Sequence, residues 1–193
     1  MQLIGFMGQA GSGKDTAADY LVEHYKFVRV AAADTMKEDL CSYLDMDLET
    51  LESIKNKELS LIDTTDSHAD EMIDYGTLSI RRFLQLYGMD MRYRMHDNYW
   101  LERSISEKIS ELNSYGCTKI VISDIRFRNE FNYVKSQGRV FFIEGRHVLR
   151  DEQARHISES FVNEPNSKNL CNAIIDNSQD FKHLHNQLDE AMQ

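Results

Sequence analysis

Apolar positions along this chain fall into two patterns: short unbroken runs, and longer stretches in which they recur every three or four residues. The run Leu3-Ile4-Gly5-Phe6-Met7 predicts a fully buried strand over residues 2–7. Ala17, Ala18, Leu21, Val22 and Tyr25 then predict a helix over residues 13–25 with one apolar stripe. Residues 27–32 read as a second strand, followed by a helix with Met36, Leu40 and Leu44 at spacings of four, capped by Asp34. From Asp45 to Gly76 the period fades, and polar segments such as residues 55–58 and 63–68 read as a short helix and a long loop in which His68 is a solvated residue. Ile80, Phe83, Leu84, Tyr87 and Met91 mark the next helix, with Arg81, Arg82 and Gln85 off its stripe. Leu101, Ile105, Ile109 and Leu112 mark another, opened by Asp97 or Asn98, with Trp100 packing between the two. Residues 119–124, 139–144 and 173–176 are three further apolar runs, and Phe127, Phe131 and Val134 suggest a helix between the first two of them. Phe181, Leu184, Leu188 and Met192 form a closing helix capped by Ser178. Strands alternating with helices predict an α/β protein: a five-stranded parallel sheet with helices on both faces.

Composition narrows the class. At 193 residues the chain suits one well-buried domain with an insertion. No apolar run approaches the roughly 20 residues that span a bilayer, and the N-terminus enters a strand without a basic and apolar leader, so a cytoplasmic protein is expected, in the host cytoplasm if viral. Cys41, Cys117 and Cys171 are odd in number and far apart, which favours reduced thiols over disulfides or a zinc site. A net charge of −10 argues against nucleic acid as a partner, because such binding needs a basic surface to displace counterions. Small phosphorylated ligands remain compatible. Apart from Arg29, every arginine lies between Arg81 and Arg155, the distribution of a focused anion site on an acidic protein. Monomer and homodimer are both left open.

The chemistry concentrates after the first strand. Gly8-Gln9-Ala10-Gly11-Ser12-Gly13-Lys14 fills the pattern G-x-x-x-x-G-K between a predicted strand and a predicted helix, the context in which a phosphate-binding loop is credible. Gly8, Gly11 and Gly13 let the backbone approach an anion, the helix adds its positive end, and Lys14 can reach the outer phosphates. Ser12 and Thr16 add hydroxyl groups. The position after the lysine, usually a Ser or Thr that ligates magnesium, is Asp15. It holds magnesium directly or through water, or orients the acceptor oxygen, or only favours the helix N-terminus. Asp124 ends a buried strand, the pattern of the second NTPase motif, whose carboxylate orients magnesium or its water, and also of strands whose terminal Asp only caps a helix. Arg126 and Arg128 point to the same side as Asp124 if the backbone stays extended. Lys37 is expected near the carboxyl end of the second strand, where ligands bind in open parallel sheets. Residues 146–156 are charged and arginine-rich, the composition of a lid that closes over phosphates.

Together, Gly13-Lys14-Asp15-Thr16, Arg81-Arg82-Phe83-Leu84-Gln85 with Gly88-Met89-Asp90, Ser123-Asp124-Ile125-Arg126, His156-Ile157-Ser158-Glu159 and Ile175-Asp176-Asn177 resemble the bacteriophage deoxynucleoside monophosphate kinases, a branch of the P-loop kinases. The resemblance spans the chain in order. It implies one P-loop kinase domain over residues 1–193, with an acceptor-binding helical insertion at about 45–115 and a lid at about 145–160. It implies transfer of the ATP γ-phosphate to a deoxynucleoside monophosphate, with magnesium near Asp15, Thr16 and Asp124. Arg82, with Arg81 and Arg92, would clamp the acceptor phosphate, and Lys37, Asp124 and Arg128 count with the substrate site. Arg126, Arg150 and Arg155 would stabilise the transferring group beside Lys14 and Asp15, while His156 and Glu159 orient the lid arginines. P-loop phosphomevalonate kinases share Gly-Lys-Asp-Thr and Asp-x-Arg, so a kinase for another small phosphorylated acceptor, phosphomevalonate-like or dephospho-coenzyme A-like, stays open. So does a non-catalytic nucleotide-binding module, although neither Asn56-Lys57-Glu58-Leu59 nor Asn166-Ser167-Lys168-Asn169 supplies the base-recognition motif of guanine-nucleotide switches.

Overall fold

Central parallel strands are covered on both faces, so they show no alternation, and β1 (Gln2–Met7) is buried along almost its whole length. It pairs in parallel with β5 (Lys119–Ile125) on one side and β6 (Arg139–Gly145) on the other. β2 (Val28–Val30) adds to β5 and β7 (Ala173–Asn177) to β6, giving a five-stranded parallel sheet in the order β2-β5-β1-β6-β7. The computed structural model describes residues 1–54, 57–60, 77–145 and 160–193. His68 and the expected lid, with Arg150, Arg155, His156 and Glu159, lie outside the described residues.

The described chain forms two compact units. The first comprises Met1–Ala32 and Leu101–Gln193 and contains the whole parallel sheet. On one face Ile4, Phe6, Val121, Phe141 and Ile143 pack against Ala17, Ala18 and Leu21 of α1 (Lys14–Tyr25) and Leu184 and Leu188 of α7 (Phe181–Met192). On the other, Leu3, Ile120, Ile122 and Val140 pack against Ile105 and Ile109 and against Phe131 and Val134 of α6 (Arg128–Gln137). Ile105 lies in a π-helical stretch, Leu101–Ser106, that runs into α5 (Glu107–Ser114).

The second unit, Ala33–Trp100, holds most of α2 (Ala32–Leu44), then α3 (Leu48–Ile54), a two-stranded antiparallel ribbon of β3 (Glu58–Ser60) and β4 (Thr77–Ser79), and α4 (Ile80–Arg94). Its core is Leu40, Leu51 and Ile80, flanked by Phe83 and Leu84. Trp100 is fully buried and packs on α4, its indole N–H donating to Gly88 O at 2.9 Å and its ring 5.5 Å from that of Tyr87. Among the described residues, no helix is long and apolar enough to cross a membrane.

Several local expectations change. The second strand is Val28–Val30 rather than residues 27–32, because α2 already begins at Ala32. Asp34 therefore sits inside the first turn instead of capping it, and Lys37 falls in the second turn. Val22 is exposed, leaving Ala17, Ala18 and Leu21 as the buried stripe of α1. The cap of α7 is Asp180, which accepts from His183 N at 2.9 Å, while Ser178 N donates to Asp176.

Near the C-terminus, Asp189 of α7 accepts from both Tyr20 and Tyr25 of α1, at 2.8 and 2.7 Å. The bonds from Tyr25 and Tyr20 hold its carboxyl below the ordinary carboxylate range, and burial together with Asp189 pushes the Tyr20 phenol up to about 12. Asp189→Ala is expected to lower stability at neutral pH by about 1–2 kcal/mol. Because the folded pKa lies below the unfolded one, this contribution is full above about pH 4 and is lost as the pH falls through the folded value. Denaturation curves of the two proteins should therefore converge in acid; a difference that persists unchanged at pH 2–3 would refute the account.

Candidate active site

The carboxyl ends of the parallel strands all turn toward one edge of the sheet, and the loop between β1 and α1 is built into that edge. Gly13 has φ 100° and no side chain caps α1 there, so the first amides of the helix keep their donors free of intrahelical partners. A Cβ at Gly13 would lie 2.1 Å from Asn177 Nδ2, and one at Gly8 would lie 2.5 Å from Ile143 O. The loop is thus pressed against the ends of β6 and β7. Asn177 Nδ2 also donates to Ser12 O at 2.8 Å.

Lys14 is only 7% exposed and lies over the loop, donating to Gly8 O at 2.8 Å and Gln9 O at 3.0 Å. Its ammonium is 3.6 Å from Asp124 Oδ1. Arg126 Nε donates to the other oxygen, Asp124 Oδ2, at 2.7 Å. Burial alone would raise the Asp124 carboxyl, but the charges of Arg126 and Lys14 outweigh it and hold the group below its ordinary value. Arg126 is set by its backbone as well: buried Glu130 accepts from the amides of both Arg126 and Phe127, at 3.0 and 3.1 Å, where β5 turns into α6.

Two buried oxygens here have no hydrogen-bond partner among the described residues, Ser12 Oγ and Asp124 Oδ1. The Asp124 carboxylate, whose Oδ1 has only the Lys14 ammonium at 3.6 Å, and the hydroxyl of Thr16 in the first turn of α1 are oxygen donors of the kind that suits magnesium and its waters. Beside the loop is a cavity of about 270 Å³ lined by Gln9, Ser12, Glu144, Gly145, Asn163 and Lys168.

The other expected residues are spread more widely. Asp15 is bound to Arg29 at 2.6 Å. Arg128 opens α6, pairs with Glu164 and lies 4.6 Å from the centre of the Phe161 ring, so the extended backbone ends before it. In the second unit, Lys37 pairs with Glu52 at 2.7 Å, and Arg81 and Arg82 are exposed on the first turn of α4, whose cap Ser79 accepts from Arg82 N. Arg92 is buried and its guanidinium donates to Asp97 O at 2.5 Å, supporting the turn after α4. Sequence reading assigned no role to Arg29 or Glu130 and no bracing role to Asn177. Arg29 had one signal, its isolation from every other arginine in the chain.

A family model for deoxynucleotide monophosphate kinase matches residues 46–188. A protein of Acanthamoeba polyphaga mimivirus that carries the provisional name deoxynucleotide monophosphate kinase is 32% identical over 143 residues, covering 72% of this chain and 70% of that one. Among solved structures, the chain is similar to a dephospho-CoA kinase from Campylobacter jejuni, with TM-score 0.52 and 15% identity over 100% of this chain and 96% of that one. It is also similar to a shikimate kinase from Aquifex aeolicus, with TM-score 0.51 and 12% identity over 99% and 94% of the two chains. These likenesses, with the five-stranded sheet and its loop, establish the P-loop kinase fold.

Proposed function

Because the chain belongs to the deoxynucleotide monophosphate kinase family, we propose that it transfers the γ-phosphate of ATP to a deoxynucleoside monophosphate, giving the diphosphate and ADP. The observation that carries this reading is the loop itself: Lys14 held over it by two loop carbonyls, beside an ionised Asp124 that is locked by Arg126. In such a transfer an acceptor phosphate oxygen forms a bond to the γ-phosphorus as the bond to the β–γ bridging oxygen breaks. Charge spreads over the equatorial oxygens, so positioning and neutralisation do most of the work.

Loop amides and the N-terminal turn of α1 bind the donor phosphates, and Lys14 exchanges its loop carbonyls for phosphate oxygens, which are stronger acceptors. Asp124 and Thr16 are the residues that would hold magnesium, which would supply neutralisation of the charge on the donor phosphates. Arg126 turns its guanidinium to the transferring group. Arg82 and Arg81, exposed at the start of α4, take the acceptor phosphate, since a guanidinium fork binds two oxygens at once.

A coupled assay of ADP formation across the deoxy- and ribonucleoside monophosphates, with phosphomevalonate and dephospho-coenzyme A as further acceptors, tests the proposal. Turnover with one or more deoxynucleoside monophosphates is expected. Turnover confined to another acceptor would replace the reading by a kinase of that substrate, and ATP binding without any product would favour a regulatory module.

A further inference from the structure

The carboxylate that stands where this kind of loop usually has Ser or Thr is engaged elsewhere. Arg29, in the middle of β2, uses all three of its guanidinium nitrogens: Nη2 lies 2.6 Å from Asp15 Oδ1, Nη1 lies 3.3 Å from Asp19 Oδ1, and Nε donates to Ser123 Oγ at 3.0 Å. One fork therefore joins β2, the first and second turns of α1, and β5. The alternation of β5 settles which face this is. Val121 packs with Ala17 and Leu21 of α1, and Ser123, two residues on, shares that face. Asp124 follows where the β1–β5 register shifts, and its oxygens are met by Lys14 and Arg126 rather than by Arg29. Asp15 is also 72% exposed, against 21% for Asp124.

We propose that Arg29 is a positioning residue that keeps Asp15 away from the metal–triphosphate complex and anchors the first turn of α1, leaving Thr16 and Asp124 to serve the metal. The inference rests on the nucleotide-kinase reading of the loop. Its physical basis is charge. A free carboxylate at the helix start would repel the triphosphate that the loop and Lys14 attract, and the guanidinium cancels that repulsion while tying the turn to two strands. Asp19 shares the same cation, so the clamp draws Asp15 along α1 toward β2. A cation approaching Asp15 would also meet the positive charge of Arg29 within hydrogen-bond distance of the same oxygen.

The test uses the full chain and the variants Arg29→Gln, Arg29→Lys, Asp15→Asn and Arg29→Gln with Asp15→Asn. Calorimetry measures ADP affinity with metal chelated, and electron paramagnetic resonance measures Mn²⁺ affinity of the ADP complex. Arg29→Gln should weaken metal-free ADP binding about five- to tenfold, the effect of one unit charge several ångströms from the phosphates at intermediate dielectric. The double variant, which removes both charges, should return to within about twofold of the parent, a coupling that a merely structural role would not produce. Arg29→Lys keeps the charge and should also bind within about twofold, so the proposal stays testable if Arg29→Gln fails to fold. Asp15→Asn should leave Mn²⁺ affinity within about twofold, whereas loss of a metal ligand costs about tenfold or more. Unchanged ADP affinity in Arg29→Gln, a double variant as weak as the single one, weakened binding in Arg29→Lys, or a tenfold loss of Mn²⁺ affinity in Asp15→Asn would each overturn the assignment. A parent protein that binds no ADP would overturn the nucleotide reading and the assignment with it.

Discussion

Replacing Lys14 by alanine is expected to lower turnover by about 10³-fold or more while the protein stays folded. The side chain is buried, yet its partners are two loop carbonyls and Asp124, not the apolar clusters on either face of the sheet. Asp124 would lose one of its two neighbouring cations and keep Arg126, so the carboxylate remains compensated. Lys14→Met retains the apolar stem without the charge and separates packing from electrostatics. Steady-state ADP formation beside a thermal melt checks the expectation. Near-normal turnover in either folded variant would remove Lys14 from the chemistry.

Arg126→Ala should cost about 10³- to 10⁵-fold in turnover, the range for an arginine that stabilises a transferring phosphoryl group. Its geometry distinguishes it from the other described arginines. The guanidinium is held by Asp124, and the backbone is pinned by Glu130, so the residue is presented from the junction of β5 and α6 rather than from a flexible stem. Arg126→Lys preserves the charge but cannot offer two donors in one plane, and should remain severely impaired. If Arg126 acts on the reacting group, the loss appears mainly in kcat. A change confined to KM for ATP, with kcat intact, would assign it to ground-state binding instead.

The sheet was readable in the sequence because buried parallel strands announce themselves as unbroken apolar runs, and all five lie where those runs stand. The loop was readable because its glycines and lysine occupy fixed offsets between a strand and a helix. The β3–β4 ribbon was not: strands of three residues carry too little period to separate from the polar stretch around them. Caps also misled. Asp34 and Ser178 are good capping residues by type, but α2 starts earlier and Asp180 stands closer to the start of α7, so proximity decided between acceptable candidates. Asp15 shows the limit most sharply. Its identity marked the loop as unusual, whereas its partner sits 14 residues away on strand β2, and no local spacing encodes a pair formed only when α1 and β2 meet.

Among the described residues, β2 stands at the end of the sheet and pairs on one side alone, with β5. It is three residues long, Val-Arg-Val, with Val28 exposed. An apolar residue in place of Arg29 would put three apolar residues in a row on an edge strand, a composition that invites strand addition and insoluble aggregates. The same guanidinium that restrains a carboxylate beside the phosphate loop therefore also protects the solubility of the fold, and its replacement carries a colloidal cost distinct from any effect on nucleotide binding.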